Sequence, residues 1–167
     1  MRYAIGLVAI AVIFQFSIAN NKLAFANQLS WKADQQLAFR VQSRIDNLNI
    51  QIGAPVSLAV IGVPGKRSKK MFFKSQTVGD SFFSHEGGNI YRIIMFFDTL
   101  GISSYKAATL DERREIVGDV SRMPVWPSAG SVAVYNDILV IKFGDYTFRQ
   151  RHDLCGSQKA KLSICSE

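Results

Sequence analysis

The N-terminal segment is the most apolar part of the chain. No charged side chain occurs between Arg2 and Lys22, and the stretch from Tyr3 to Ala19 is apolar except for one glutamine and one serine. A membrane-spanning helix needs about 20 apolar residues, with about 17 as the lower limit. The pattern therefore predicts a single transmembrane helix, with residues 1–22 as the anchor.

The same segment also has features of a cleaved secretory signal. Arg2 supplies a basic residue, an apolar run follows, and small residues flank candidate cleavage sites at 17–19 and 24–26. The run is longer than the usual apolar core of a signal, about 7–15 residues, which favours a retained anchor. Both interpretations export the rest of the chain, and one basic residue before the apolar run favours a cytoplasmic N-terminus.

Beyond the anchor, a helical pattern is followed by strand patterns. Apolar residues recur at steps of three and four between Asn27 and Leu48, which predicts an amphipathic helix. The run 56–63 (VSLAVIGV) is continuously apolar and rich in branched residues, which is typical of a central parallel strand buried on both faces. Residues 71–78 are a candidate second strand.

Two further helices are predicted in the middle of the chain. Residues 90–100 follow a glycine pair and an asparagine, and their apolar positions form one helical stripe that ends at Gly101. The many Ile and Phe residues of this segment leave a strand as the alternative. Thr109 and Glu112 match a capping box, in which each side chain satisfies a free backbone amide at a helix start. A short helix to about Val120 is expected after this box.

The last apolar segments predict a β-hairpin. Residues 131–135 and 138–143 alternate in polarity and are separated by Asn136-Asp137, a two-residue turn signal. Helix, strand, helices and hairpin in this order predict a small three-layer α/β domain with a C-terminal β-hairpin, covering residues 23–143. Residues 144–167 are expected to be a polar tail.

Charge and cysteine content narrow the classes of partner. The chain has 20 Lys+Arg against 13 Asp+Glu, a formal net charge of +7. An exported domain with this surplus meets anionic lipid or polysaccharide rather than nucleic acid, unless the charges only solvate its surface.

Cys155 and Cys165 are the only cysteines, and they predict a structural disulfide. Because the chain has only two histidines, we expect no metal site. No phosphate-binding loop or dinucleotide fingerprint is present, and no cofactor is expected.

The order of elements and one motif resemble a known family. A last apolar span, an amphipathic helix and a buried strand precede Met123-Pro124-Val125-Trp126-Pro127-Ser128 and Gly130-Ser131, and the hairpin 138–142 (ILVIK) follows. Together these features, over residues 5–143, resemble the C-terminal region of the bacterial O-antigen glucosyltransferases, which are serotype-converting, polytopic inner-membrane enzymes. The tail with the two cysteines lies outside the matched part.

The resemblance implies a location and a reaction. The chain would be held in the inner membrane by one span, with its soluble domain in the periplasm, or be secreted to the periplasm after signal cleavage. The family transfers glucose from a polyprenyl-phosphate carrier to the O-antigen of lipopolysaccharide. Because this chain has one span, it resembles a fragment or detached domain that lacks the catalytic N-terminal part. It would be inactive without a multi-span partner protein.

Two residues of the matched region are candidates for ligand contact. Trp126 lies between two prolines and could stack on a sugar ring, with a core or membrane-interface position as the alternative. Lys142 ends the hairpin and could hold the carrier's phosphate, unless it is the polar member of an exposed strand face. Trp31, close to the anchor, is interpreted as an interface residue.

Two other functions stay open. The chain could be a non-catalytic exported protein that binds glycan or lipid-phosphate, or a small secreted serine esterase that uses Ser81 of the Gly79-Asp80-Ser81 motif. That esterase class supplies an Asp-x-x-His pair near its C-terminus, and none occurs around His152. Three carboxylates have apolar neighbours and could act as a base, with surface or capping roles as the alternative: Asp80, Glu86 and Asp98.

Overall fold

The structure is a computed structural model, which describes residues 2–49, 55–65, 80–102, 104–156 and 163–165. Its helices are α1 Arg2–Asp46, α2 Ile90–Thr99, α3 Leu110–Glu115, α4 Val117–Arg122 and α5 Phe148–Cys155. Its strands are β1 Val56–Ile61, β2 Tyr105–Ala107, β3 Val132–Tyr135 and β4 Ile138–Lys142. Short 3-10 turns lie at His85–Gly87 and Ser163–Cys165.

Helix α1 joins the apolar segment to the folded domain without a break. It contains 45 residues and is therefore roughly 67 Å long at 1.5 Å per residue. Most residues from 6 to 25 are exposed, whereas from Ala26 onward one face is buried, including Leu37, Ala38 and Val41. The predicted amphipathic helix is thus confirmed. By length and composition α1 could cross a membrane, and a signal sequence near the N-terminus would meet the same criterion.

The four strands form one mixed sheet in the order β2-β1-β4-β3. Strand β1 lies inside the sheet and is parallel to both β2 and β4, which confirms the predicted central parallel strand. Strands β3 and β4 are antiparallel, with Val132 opposite Ile141 and Tyr135 opposite Ile138. Asn136 and Asp137 connect them with positive φ angles of 49° and 61°.

Two hydrophobic clusters lie on opposite faces of this sheet, because successive strand side chains alternate between faces. The first cluster contains buried residues of α1 and α2 together with Leu58, Val60, Leu139 and Ile141. The second contains Ile116, Val120 and Met123 together with Ala59, Ile61, Ile138 and Val140. Helices α1 and α2 therefore cover one face, and the α3–α4 region covers the other.

The predicted helix starts agree with the structure, and one predicted helix is divided. The carboxamide oxygen of Asn89 accepts a hydrogen bond from the backbone N–H of Tyr91 at the start of α2. The capping box of Thr109 and Glu112 is present at the start of α3. The helix expected from there to about Val120 is interrupted at Ile116, which separates α3 from α4. The candidate strand 71–78 lies outside the described residues.

The C-terminal part, expected to be a polar tail, contains a helix packed on the domain. A second capping box, formed by Thr147 and Gln150, begins α5. Leu154 and Cys155 of this helix are buried. A disulfide joins Cys155 to Cys165, with 5.8 Å between their Cα atoms. Strand β4 is therefore followed by folded structure. The prediction of a tail was wrong because α5 buries only a narrow stripe and its other residues are mostly polar.

Candidate functional site

A cavity of about 470 Å³ opens between α1, the turn before α2, and α2 itself. Its described lining combines aromatic, acidic, basic and amide side chains: Asn27, Trp31, Asp80, Ser81, Phe82, His85 and Arg92. Cavities with an aromatic wall and a few convergent polar groups are the usual form of ligand sites. This combination makes it the candidate functional site.

The cavity lies at the end of the domain from which the apolar part of α1 emerges. Asn27 and Trp31 follow Ala19 by two and three helical turns on the same continuous helix. At 1.5 Å per residue, they lie roughly 12 and 18 Å along the helix axis from the end of the apolar run. The polar layer of a bilayer is about 5–8 Å thick on each side. A retained span would thus place the cavity just outside the lipid headgroups.

The turn that carries the cavity's polar groups is connected to α1 by one buried and two part-buried hydrogen bonds. The hydroxyl of Ser81 donates to Oδ1 of Asp34 at 2.7 Å, and the backbone N–H of Phe82 donates to Oδ2 at 2.9 Å. The hydroxyl of Ser30 donates to the backbone carbonyl of Asp80 at 3.1 Å. Asp34 is 0% exposed. These bonds fix the turn in one position relative to α1.

Asp80 and His85 form a close pair at the mouth of the cavity. Nδ1 of His85 lies 2.6 Å from Oδ2 of Asp80, whose other oxygen accepts from the backbone N–H of Ser81 at 2.9 Å. Because an ionised carboxylate can only accept, the proton of this contact belongs to Nδ1. Nε2 lies 3.8 Å from Oε1 of Glu86. The pair thus presents a fixed imidazole ring with one nitrogen left for a ligand or for Glu86.

An aromatic cluster forms the apolar wall. Trp31 packs edge-on against Phe82 and Phe96, with ring centroids 5.7 and 5.1 Å apart, and it remains 38% exposed. Phe82 and Phe96 are stacked at 4.5 Å. The guanidinium of Arg92, an exposed residue, lies 5.8 Å from the centroid of Phe82. Trp31 therefore packs against two phenylalanine rings with part of its surface facing the cavity, and its interpretation as an interface residue stays a prediction.

The structure does not support Ser81 as a nucleophile, which corrects the esterase hypothesis. Its residue is 8% exposed, and its hydroxyl donates to Asp34 and accepts from the backbone N–H of Phe83. Among the described residues, no histidine hydrogen-bonds to this hydroxyl. A serine nucleophile needs a general base that removes its proton. Ser81 instead holds the turn in place.

Lys142 also has a structural role, which corrects its assignment as a phosphate ligand. It is 6% exposed, and Nζ donates to the backbone carbonyls of Val120, Ser121 and Met123 at 2.8, 3.2 and 2.8 Å. An ammonium group has three hydrogens, and these three bonds use them all. The alternative of an exposed strand position is wrong as well. Lys142 thus holds the end of α4, where the Val120 carbonyl also accepts the backbone N–H of Met123.

Trp126 lies outside the cavity and packs at the edge of the first hydrophobic cluster. The guanidinium of Arg44 lies 4.3 Å from the centroid of its ring, and Phe143 contacts it edge-on at 6.0 Å. Arg44 donates further to the carbonyls of Pro127 and Ser128. One ring face is thus covered by an arginine. This arrangement favours the core interpretation over stacking on a sugar.

The remaining candidate carboxylates lie in different environments. Glu86 has a positive φ of 50°, and its Oε2 accepts from the Asn89 amide and from Arg149. The hydrogen bond from Asn89, and to a lesser degree Arg149 and His85, lowers the pKa of Glu86 below its ordinary value. Asp98 is exposed on α2 and away from the cavity lining. Of these three carboxylates, only Asp80 lines the cavity between α1 and α2.

Several cavity residues were not found from the sequence. Asn27 and Arg92 belong to no motif, and Asp34, which supports the cavity without lining it, has the position of a solvent-facing residue of the amphipathic helix. The spacing of Asp80 and His85 was a usable signal, because a turn can place side chains five residues apart in contact. The other histidine, His152, is exposed on α5 and does not line the cavity.

The fold and cavity define a small mixed α/β domain on a long N-terminal helix. No protein-family model, no curated protein and no solved structure matches this chain. Among the described residues, no group of three or more His, Cys, Asp or Glu side chains could hold a metal ion.

Proposed function

We propose that this chain is a membrane-anchored, exported α/β domain that binds a glycan in the cavity between α1 and α2. The observation that carries the proposal is the position of Trp31. Its ring borders the cavity and lies on the helix that continues into the candidate span. A glycan bound here would be held next to the membrane surface. The compartment that fits a glycan of bacterial lipopolysaccharide is the periplasm, with the anchor in the inner membrane.

The polar groups of the cavity favour a sugar over a lipid-phosphate. Sugar hydroxyls both donate and accept, so they can pair with the carboxylate of Asp80, the amide of Asn27 and the guanidinium of Arg92. A phosphate would meet Arg92 but also the carboxylate of Asp80, which accepts hydrogen bonds only and repels an anion. An exposed part of a rigid tryptophan adds a flat apolar surface at low entropic cost.

Glucosyl transfer to O-antigen remains a second proposal, which depends on the resemblance described above. In that case the domain would hold the acceptor glycan, and a multi-span partner would carry the donor and the reaction. The two clusters on opposite sheet faces support the three-layer arrangement that the order of elements predicts, but this arrangement is not specific to the family. Trp126 and Lys142 do not support it, because both are engaged inside the protein.

Binding of purified O-antigen polysaccharide to the full chain in lipid nanodiscs tests the first proposal. Trp31→Ala should weaken binding about tenfold, since an aromatic contact contributes about 0.5–1.5 kcal/mol beyond its buried area. Phe148→Ala is the matched control, because Phe148 is 83% exposed on α5 and outside the cavity. Equal binding by folded wild type and Trp31→Ala would contradict the proposal.

A complementation test separates binding from transfer. The chain is expressed in a strain with unmodified O-antigen, alone and beside a family glucosyltransferase lacking its C-terminal domain, and added glucose is measured. Glucose added only with the truncated partner would support the second proposal. Glucose added by the chain alone would show that the catalytic part is present. No modification by a folded, exported chain would leave glycan binding without transfer.

A further inference from the structure

The two ring nitrogens of His85 have different surroundings. Nδ1 donates to the carboxylate of Asp80 at 2.6 Å, and Asp80 is itself held by the backbone N–H of Ser81 at 2.9 Å. Within the described residues, no hydrogen bond reaches Nε2 of His85. In a neutral imidazole, a proton on Nδ1 leaves a lone pair on Nε2. The contact with Asp80 therefore fixes the tautomer that can take up a proton at Nε2.

Glu86 lies beside this nitrogen and has an unusual backbone conformation. Its φ of 50° is in the left-handed region, which is uncommon for a residue with a side chain. Its Oε2 accepts from the Asn89 amide at 2.9 Å and from Arg149 at 3.1 Å, so the carboxylate is held in one orientation. Backbone strain of this kind clusters at functional sites, where the surrounding contacts maintain it.

The space between the two side chains suits one water molecule. Nε2 of His85 and Oε1 of Glu86 are 3.8 Å apart, which is too long for a hydrogen bond. Both atoms accept when the ring is neutral, and a water molecule has two hydrogens to donate. A water that bridges two protein groups is nearly as favourable as a direct hydrogen bond. Because His85 lines the cavity and Glu86 does not, this water would lie at the cavity mouth.

Arg92 supplies a cation to the same cavity. It lines the cavity together with His85, and its guanidinium lies 5.8 Å from the ring centroid of Phe82. In the part of the chain that the structure describes, no carboxylate pairs with this guanidinium. Such a group can donate to an oxygen that gains negative charge during a reaction. The cavity thus combines a base, a place for water and a donor for an oxyanion.

We propose that this cavity hydrolyses an acyl ester, with His85 as the general base that activates water and Asp80 as the residue that positions His85. The esters that fit are O-acyl groups on sugar hydroxyls, an assignment that rests on the glycan binding proposed above. An ester is neutral, so the carboxylates beside His85 do not repel it. Ser81 takes no part, because its hydroxyl donates to Asp34.

The reaction balances with water as the only co-reactant. Nε2 of His85 takes a proton from the water, and the water oxygen forms a bond to the acyl carbon. The carbonyl electron pair moves onto the carbonyl oxygen, to which Arg92 donates. When this intermediate collapses, the bond from the acyl carbon to the sugar oxygen breaks, and Nε2 returns its proton to that oxygen. Asp80 stabilises the imidazolium between the two steps. The products are a carboxylic acid and a sugar hydroxyl.

Release of acetate from methyl tetra-O-acetylglucoside by the full chain in nanodiscs tests the proposal. His85→Gln should lower kcat about 100-fold or more, because general base catalysis contributes about 10²–10⁴-fold. His152→Gln is the matched control, because His152 is exposed on α5 and outside the cavity lining, and it should keep the wild-type rate. No hydrolysis by the folded wild type, or equal rates for wild type and His85→Gln, would overturn the proposal.

Asp80→Asn tests the positioning role separately from folding. Asparagine can still accept the N–H of Ser81 through its carbonyl oxygen, but it has no charge to stabilise an imidazolium. We expect kcat to fall about tenfold or more while KM stays within about twofold of the wild-type value, since the lost interaction forms only during the reaction. An unchanged kcat in this variant would contradict the role of Asp80.

Phenyl acetate, an ester without a sugar, separates this inference from the proposed glycan binding. Hydrolysis of phenyl acetate that depends on His85, in a chain that does not bind polysaccharide, would support the catalytic role of His85 and rule out a glycan ester as the substrate. Polysaccharide binding without hydrolysis of either ester would overturn the inference and leave the glycan proposal standing. Hydrolysis of both esters that depends on His85, together with polysaccharide binding, would support both.

Discussion

The carboxylate of Asp34 accepts the hydroxyl hydrogen of Ser81 at 2.7 Å, although 47 positions separate the two residues in the chain. Its other oxygen accepts the N–H of Phe82. This buried contact connects the long N-terminal helix to the turn that carries Asp80 and His85. The geometry of the cavity between α1 and α2 therefore depends on Asp34, which does not line it.

Asp34→Ala should destabilise the full chain by about 3 kcal/mol. The substitution leaves the Ser81 hydroxyl and the Phe82 N–H without their acceptor in a buried position, and hydrogen bonds to charged groups contribute about 1.5–3 kcal/mol each. Urea unfolding in detergent micelles, followed by tryptophan fluorescence, measures the change. Asp98→Ala, at an exposed aspartate, should change stability by less than about 0.5 kcal/mol. Equal effects of the two variants would contradict this role of Asp34.

Lys142→Met should lower stability by about 2–4 kcal/mol and leave glycan binding unchanged in the protein that still folds. Methionine fills a similar volume, but the carbonyls of Val120, Ser121 and Met123 lose the ammonium group that donates to them at the end of α4, and only Val120 keeps a second donor, the N–H of Met123. Thermal unfolding and polysaccharide binding are measured on the same sample. Lys106→Met, at an exposed lysine of β2, is the control. Weaker binding with unchanged stability would restore Lys142 as a ligand residue.

Much of the framework could be predicted from the sequence because its signals are local. The branched apolar run of β1, the helical stripe of α2 and the capping box at Thr109 each depend on residues close together in the chain. The two-residue connection between β3 and β4 is similarly local. Such patterns indicate which face is buried, and the sheet and clusters follow from them.

The roles of individual polar and aromatic side chains could not be predicted, because their contacts are distant in sequence. The place of Trp126 between two prolines indicated a ligand contact, yet Arg44 of α1 covers its ring. Lys142 looked like an exposed cation, since its three acceptors lie about 20 residues earlier in a different element. Gln150 gave no signal, because hydrogen bonding to β1 depends on where α5 packs.

The free energy of unfolding should decrease at acidic pH as the carboxylate of Glu112 becomes protonated. Hydrogen bonds from the backbone N–H and hydroxyl of Thr109 lower the pKa of this carboxyl below its ordinary value of 4.5, despite the opposing effect of partial burial. A lowered pKa in the folded state gives stability that is present above about pH 4.5 and lost as the pH falls through the lower folded value.

The Glu112→Gln variant should show a shallower fall of Tm between pH 5 and pH 3 than the wild type. Glutamine can keep the capping-box hydrogen bond to Thr109 but does not titrate in this range. Glu115→Gln, at an exposed glutamate of the same helix, is the matched control and should follow the wild-type curve. Parallel Tm curves for wild type and Glu112→Gln would show that this carboxyl does not contribute to the acid dependence.

Tyr146→Phe should stabilise the protein by about 1 kcal/mol at neutral pH. The hydroxyl of Tyr146 is buried and has no hydrogen-bond partner in the described part of the structure, so its removal relieves an unpaired polar group.

Burial raises the pKa of Tyr146 to about 12, and Arg113 opposes this only partly. The raised folded pKa means that stability is lost as the pH rises above 10, where the unfolded chain ionises first. The phenylalanine variant should therefore lose less stability between pH 10 and pH 11.5, measured by urea unfolding. Tyr91→Phe, at a tyrosine 69% exposed, should behave like the wild type. A lower Tm for Tyr146→Phe would mean that a partner outside the described residues holds the hydroxyl.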